Sequence, residues 1–186
     1  MPTPSTKPHN RAKSQTALTP DCQNCAALCC VALHIEKSTK FALEKPAGVA
    51  CPNLAPTGLC RIHDTLKDKG FSGCIAYDCL GAGQRVVQDL YDGISWQQDP
   101  SLLAQMSEDF AKMRKIHTLL ELLFTAQTLA LPPTQLQTCD SFIAQLFPQT
   151  GWTRAEFDAF PIRDTQKQVM DFLAALKSHL SAQQTK

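Results

Sequence analysis

Eight of the nine cysteines in this 186-residue chain fall between Cys22 and Cys79, and that crowding limits what the segment can become. They are Cys22, Cys25, Cys29, Cys30, Cys51, Cys60, Cys74 and Cys79, and only Cys139 stands apart. Between them lie turn signals rather than apolar runs: Pro46-Ala47-Gly48, Pro52-Asn53 and Pro56-Thr57-Gly58. Such a stretch buries too little apolar surface to hold itself together, so it needs cross-links. A thiolate is a soft ligand suited to zinc or an iron–sulfur centre. A C-x2-C pair is a common way to set two sulfurs on one ion. The first twenty residues contain no apolar run like that of a secretory leader. The expected compartment is therefore the cytoplasm, where thiols stay reduced unless something holds them. Metal ligation is the first reading of the cluster and disulfide bonding the second.

Eight thiolates suffice for two four-thiolate sites, or for one cluster with spare thiols. Adjacent Cys29 and Cys30 do not readily serve one ion with relaxed geometry; they serve neighbouring ions, or one of them is structural. Cys139 lies on a periodic apolar face and reads as a small core residue. His63 follows Cys60 as C-x2-H and is a weaker candidate ligand than the cysteines. His34 reads as a helix-end residue and His117 as a core histidine. Tyr77 and Asp78, beside Cys79, are either groups that orient a ligand or ordinary turn residues.

The chain divides by composition into a flexible tail over 1–20, a cysteine-rich metal-binding module over 21–83 and a helical domain over 84–186. The tail is rich in Pro, Ser, Thr and Lys, and its cations Lys7, Arg11 and Lys13 read as solvated. Thr19-Pro20 predicts a helix over Asp21 to about Leu33, with Cys22, Cys25, Cys29 and Cys30 on one side of it. A short helix is expected from Ile62 to Lys69, stopped by Gly70. Gly81-Ala82-Gly83 lets the backbone turn after Cys79, and a helix begins there. Asp99-Pro100 opens a long helix whose apolar residues, from Leu103 through Met106, Phe110, Met113, His117 and Leu120 to Phe124, repeat at threes and fours. Pro132-Pro133 ends it. Leu136, Cys139, Ile143 and Leu146 mark another helix. Thr153 to Glu156 is a capping box, with Trp152 and Phe157 placed to staple it. Val169, Phe172, Leu173, Leu176 and Leu180 mark the last. The fold class is mainly α: an irregular cysteine-rich metal-binding module followed by a small helical bundle.

The segments CQNCAALCC, FALEKPAGVACPNL, GLCRIH, GFSGC and YDCLGAGQRV, over about residues 21–92, together resemble the YkgJ-like cysteine-cluster proteins, described as zinc- or iron-chelating domains. They are more similar still to a bacterial subgroup in which a CAALCC module occurs alone or ahead of pentapeptide repeats, which this chain lacks. The resemblance implies Cys22, Cys25, Cys29, Cys30, Cys51, Cys60 and Cys74 as ligands, and Cys79 through the subgroup's YDC-x-GAGQ form. The broader family has a glycine after its second cysteine, where this chain has Ala26 and one more residue before the Cys29-Cys30 pair.

No Walker loop, nucleophile elbow or H-E-x-x-H is present, and no residue set identifies a substrate or a catalytic group. A formal net charge of +1 gives no general pull towards nucleic acid or an anionic membrane. No apolar run is long enough to span a bilayer. The expectation is a metal-binding protein holding zinc or iron, without catalysis of its own. Two alternatives remain: an iron–sulfur protein with a redox or enzymatic role, and an interaction module with structural zinc whose helical half binds a protein partner.

Overall fold

The structure is a computed structural model that describes residues 18–184, with side chains described through residue 177. The expected flexible tail lies largely outside the described residues. The chain is mainly helical. Seven α-helices occur among the described residues: α1 (Leu28–Ala32), α2 (Ser72–Ala76), α3 (Ala82–Leu90), α4 (Leu103–Ala126), α5 (Pro133–Leu146), α6 (Arg154–Ala159) and α7 (Ile162–Gln184). Extended structure is limited to isolated antiparallel bridges, Ile35 with Lys45, Ser38 with Phe41 and Leu54 with Cys60. Among the described residues no helix is long and apolar enough to cross a membrane.

Two compact units are present, one ending at Arg114 and the other beginning at Lys115, so the division falls within α4. Residues 84–114 thus belong with the cysteine-rich segment, whereas composition alone starts the helical half at residue 84. Side-chain bonds explain why. Trp96 Nε1 donates to the Ala26 carbonyl at 2.7 Å, Gln97 Nε2 to the Ala55 carbonyl at 3.4 Å, and Arg114 to the Asp78 carbonyl. The buried residues of this unit include Leu28, Val31, Val86, Val87, Met106 and Phe110.

In the second unit Ile116, Leu120, Leu123, Cys139, Leu146, Phe157 and Val169 are buried. Cys139 is fully buried and its thiol donates to the Leu123 carbonyl at 3.4 Å, a core placement. His117 is buried as well. The capping box on α6 is present: the Thr153 hydroxyl accepts from the Glu156 amide at 3.2 Å, and the Glu156 carboxylate accepts from the Thr153 amide at 3.1 Å. Trp152 packs edge-on against Phe157 with ring centres 5.7 Å apart, as the staple requires. At the end of the long helix the boundary differs from expectation. Helix α4 ends at Ala126, ahead of Pro132-Pro133, and Pro133 instead opens α5 at its first position. There its missing amide costs nothing and its fixed φ suits the helix.

Candidate metal centre

The first four cysteines do not lie on one helix. Asp21, not Thr19, is the cap: its carboxylate accepts from the Gln23 amide at 3.1 Å and starts a single 3-10 turn over Cys22–Asn24. Ala26 and Ala27 then both take left-handed backbone, φ 49° and 53°, before α1 begins. Two such residues in a row stop one helix and re-aim the next. Cys22 and Cys25 therefore sit on a turn, and Cys29 and Cys30 on α1. The left-handed region is costly for any residue with a Cβ. It falls here at Ala26 and Ala27, two residues with a Cβ.

Helix α3 is tied to this turn. Gln84 Oε1 accepts from the Asp21 amide at 2.9 Å, and Gln84 Nε2 donates to the Thr19 carbonyl at 2.7 Å. Gly81 makes the turn into α3 at φ 71°, as its sequence suggests. Gly83 does something else: a Cβ there would stand 2.9 Å from the Cβ of Cys25. Only a bare α-carbon lets α3 come this close to the cysteine turn. The approach brings Cys79, just ahead of α3, to a small cavity that Cys22, Cys25, Cys29, Gly83 and Phe110 also line.

The remaining cysteines are joined through backbone. The Cys30 carbonyl accepts from the Cys51 amide at 3.0 Å, and the Cys51 carbonyl from the Leu54 amide at 2.9 Å. Leu54 bridges Cys60. Cys74 lies in α2, a single turn; the helix expected over Ile62 to Lys69 is instead only a 3-10 turn, His63–Thr65. Gly73 fixes α2 in place: its amide donates to the Lys40 carbonyl at 3.0 Å, and a Cβ there would fall 2.2 Å from the Phe41 ring.

Electrostatics link these groups. The Cys22 thiol is held down to about 6, first because the Cys25 thiol donates a hydrogen bond to it, with burial opposing and His63 assisting. Cys25 is pushed up in return, by that bond and by burial. Cys29 is raised and Cys30 lowered by the bond between their sulfurs. Burial raises Cys60, and raises Cys74 to about 11, with Cys30 and Cys51 adding charge repulsion to both. Tyr77 is raised to about 12, chiefly by burial, and its ring lies 4.8 Å from the Arg114 guanidinium.

Lys45 is a participant that its sequence does not announce. It is 2% exposed, and its ammonium donates to the carbonyls of Leu33 at 2.5 Å, Pro46 at 3.1 Å and Val31 at 3.2 Å. Two of those carbonyls end α1, where a cation is favoured. Burial lowers its pKa, and the charges of Cys51, Cys30 and Cys29 act in the opposite direction. A buried cation thus stands beside the thiols of Cys29, Cys30 and Cys51. The other candidates are peripheral. His63 is exposed, 3.3 Å from Asp64. His34 pairs with Glu36 at 3.8 Å, and the Asp78 carboxylate accepts from the Leu80 amide at 2.6 Å as a turn residue does.

Among the described residues no three His, Cys, Asp or Glu side chains form a ready-made metal site. Four cysteines from separate segments, Cys22, Cys25, Cys29 and Cys79, line one cavity, and the buried Lys45 ammonium lies near Cys29, Cys30 and Cys51.

No family model matches the chain, and no solved structure matches it. Over 103 residues it is 47% identical to YybG of Bacillus subtilis (strain 168), an uncharacterised protein. The match covers 55% of this chain and 37% of that relative.

Proposed function

We propose that this protein binds zinc or iron through its clustered cysteine thiolates, in the reducing cytoplasm, and that ligation holds the cysteine-rich unit together. It works without a catalytic step of its own. It belongs with the zinc- or iron-chelating cysteine-cluster domains that its sequence resembles. The observation that carries the reading is the cavity lined by Cys22, Cys25, Cys29 and Cys79, which come from a turn, a helix and the lead-in to a second helix. Cysteines so far apart in sequence line one cavity because α3 is drawn onto the cysteine turn by Gln84 and admitted by Gly83. The eight ligands are Cys22, Cys25, Cys29, Cys30, Cys51, Cys60, Cys74 and Cys79. Bound metal takes thiolates, so binding displaces the protons that the two cysteine pairs hold. The irregular segment over 35–60 is closed by bridges and turns rather than by a packed core, and metal-binding energy there becomes folding energy.

The test is purification from cells without oxygen, followed by metal analysis and a visible spectrum. Stoichiometric zinc without colour, or stoichiometric iron, supports the reading. Iron with acid-labile sulfide and a brown chromophore identifies the iron as a cluster. A folded protein with no bound metal that also takes up none on reconstitution refutes it.

A further inference from the structure

Two left-handed alanines in succession, Ala26 and Ala27, lie between Cys25 and Cys29. Each such residue is disfavoured by a factor of roughly ten against right-handed backbone, so the turn needs holding. Local bonds act at its two ends. The Leu28 amide donates to the Cys25 carbonyl at 3.3 Å, and the Cys30 amide to the Ala27 carbonyl at 2.8 Å. The carbonyl between them, that of Ala26, accepts from the Trp96 indole at 2.7 Å. Trp96 stands in a loop that is bonded within itself. The Gln98 and Asp99 amides donate to the Ser95 carbonyl at 2.9 and 3.1 Å, and the Gln97 amide to the Ser95 hydroxyl at 3.1 Å. The loop is also fixed at both sides of Trp96: the Tyr91 hydroxyl donates to the buried Asp109 carboxylate at 2.5 Å, and Gln97 Nε2 to the Ala55 carbonyl at 3.4 Å.

We propose that Trp96 is a positioning residue of the metal site, its indole holding the Ala26–Ala27 turn in the conformation that presents Cys25 and Cys29 to one cavity. This rests on the metal-binding reading above. Cys25 and Cys29 both line the cavity, and Trp96 does not, so it acts through the Ala26 carbonyl. The left-handed turn sets the start of α1, and with it the place of Cys29 relative to Cys25. A chain whose turn has relaxed must re-form it before binding. Its apparent affinity falls in proportion to the fraction of chains that hold the turn. The coupling is reciprocal: a bond that favours binding is itself strengthened by binding.

The experiment uses the full chain, reduced, stripped of metal and titrated anaerobically with cadmium against a competing chelator, binding being read from thiolate-to-cadmium absorption. Trp96→Phe keeps an aromatic ring and removes the N–H. It should weaken cadmium binding about fivefold, the worth of one net hydrogen bond, with cadmium per chain at saturation unchanged. In an Ala26→Gly background the same substitution should weaken binding by about twofold or less, because glycine takes left-handed backbone without being held. Equal losses in both backgrounds mean that Trp96 acts by packing alone and overturn the assignment, as does an unchanged affinity in Trp96→Phe. The wild-type chain supplies a second measurement that needs no variant. Its two tryptophans, Trp96 and Trp152, give two indole N–H signals in NMR. Solvent exchange of the Trp96 signal should slow on cadmium saturation while that of Trp152 stays the same; an unchanged Trp96 rate overturns the coupling. Absence of any cadmium binding by the wild-type chain overturns the metal-binding reading, and this inference with it.

Discussion

Replacing Ala26 with glycine should stabilise the protein, although it removes atoms. Ala26 sits at φ 49° with its carbonyl fixed by the Trp96 indole at 2.7 Å. An alanine pays roughly 1–2 kcal/mol for that left-handed conformation, and glycine pays almost none. Against this, glycine makes the unfolded chain more flexible, at a cost of about 0.4–1 kcal/mol. The Ala26 methyl is only half-buried, so its loss subtracts a few tenths more. The net expectation is a gain of about 0.5 kcal/mol for Ala26→Gly. Ala26→Val should move the other way, because a β-branched side chain is a real outlier in that region. The assay is urea unfolding in reducing buffer at fixed metal content, followed by tryptophan fluorescence. With a urea slope of about 2 kcal/mol per molar, the glycine variant's midpoint should rise by about 0.3 M and the valine variant's should fall. A glycine variant less stable than the wild type would refute the claim that the turn between Cys25 and α1 is strained.

Three further outcomes follow from named contacts. Lys45→Met removes a buried ammonium from three carbonyls, of which Leu33 is bonded most closely. Bonds from a charged donor are worth roughly 1.5–3 kcal/mol each, and relief of the buried charge returns part of that. A loss of about 2 kcal/mol in urea unfolding is expected, with weaker zinc retention against a chelator; unchanged values for both would contradict the role assigned to Lys45. Thr153→Ala breaks the capping box on α6 and should cost about 1 kcal/mol by thermal unfolding. The Thr153 hydroxyl and amide hold the Glu156 carboxyl below the usual carboxylate range. A depressed carboxyl stabilises the fold above its unfolded pKa and loses that contribution as pH falls through its folded value. The deficit of Glu156→Gln should therefore shrink in acid, and a deficit independent of pH would count against the capping carboxylate.

The helical elements were legible where a local signal coincides with the structure. The Thr153 to Glu156 box, the Asp99-Pro100 start and the buried register through Met106, Phe110, Met113 and Leu120 each depend on residues within one or two turns. The break inside the first cysteine segment was not legible, because alanine carries no turn signal and Ala26-Ala27 reads as good helix. Its cause is tertiary: Trp96, seventy residues on, holds the Ala26 carbonyl. The early end of α4 was likewise hidden, since Pro132-Pro133 marks where a helix must have stopped rather than where it does. The crowding of cysteines was plain in the sequence, but which of them share a cavity was not. That depends on Gly83 admitting α3 against Cys25, a contact that sequence spacing does not encode. Lys45 was missed for the same reason. A lysine between turn residues reads as solvated, and its acceptors come from positions 31, 33 and 46.

The central claim is that the clustered cysteines, and not cysteine content in general, bind the metal. Metal per chain, measured on wild-type protein, Cys22→Ser and Cys139→Ser prepared side by side without oxygen, tests it most directly. Cys22 lies at the cavity and Cys139 in the core of the other unit, with its thiol on the Leu123 carbonyl. The expected result is a lower ratio for Cys22→Ser and an unchanged one for Cys139→Ser. Equal ratios in all three would contradict the ligand assignment.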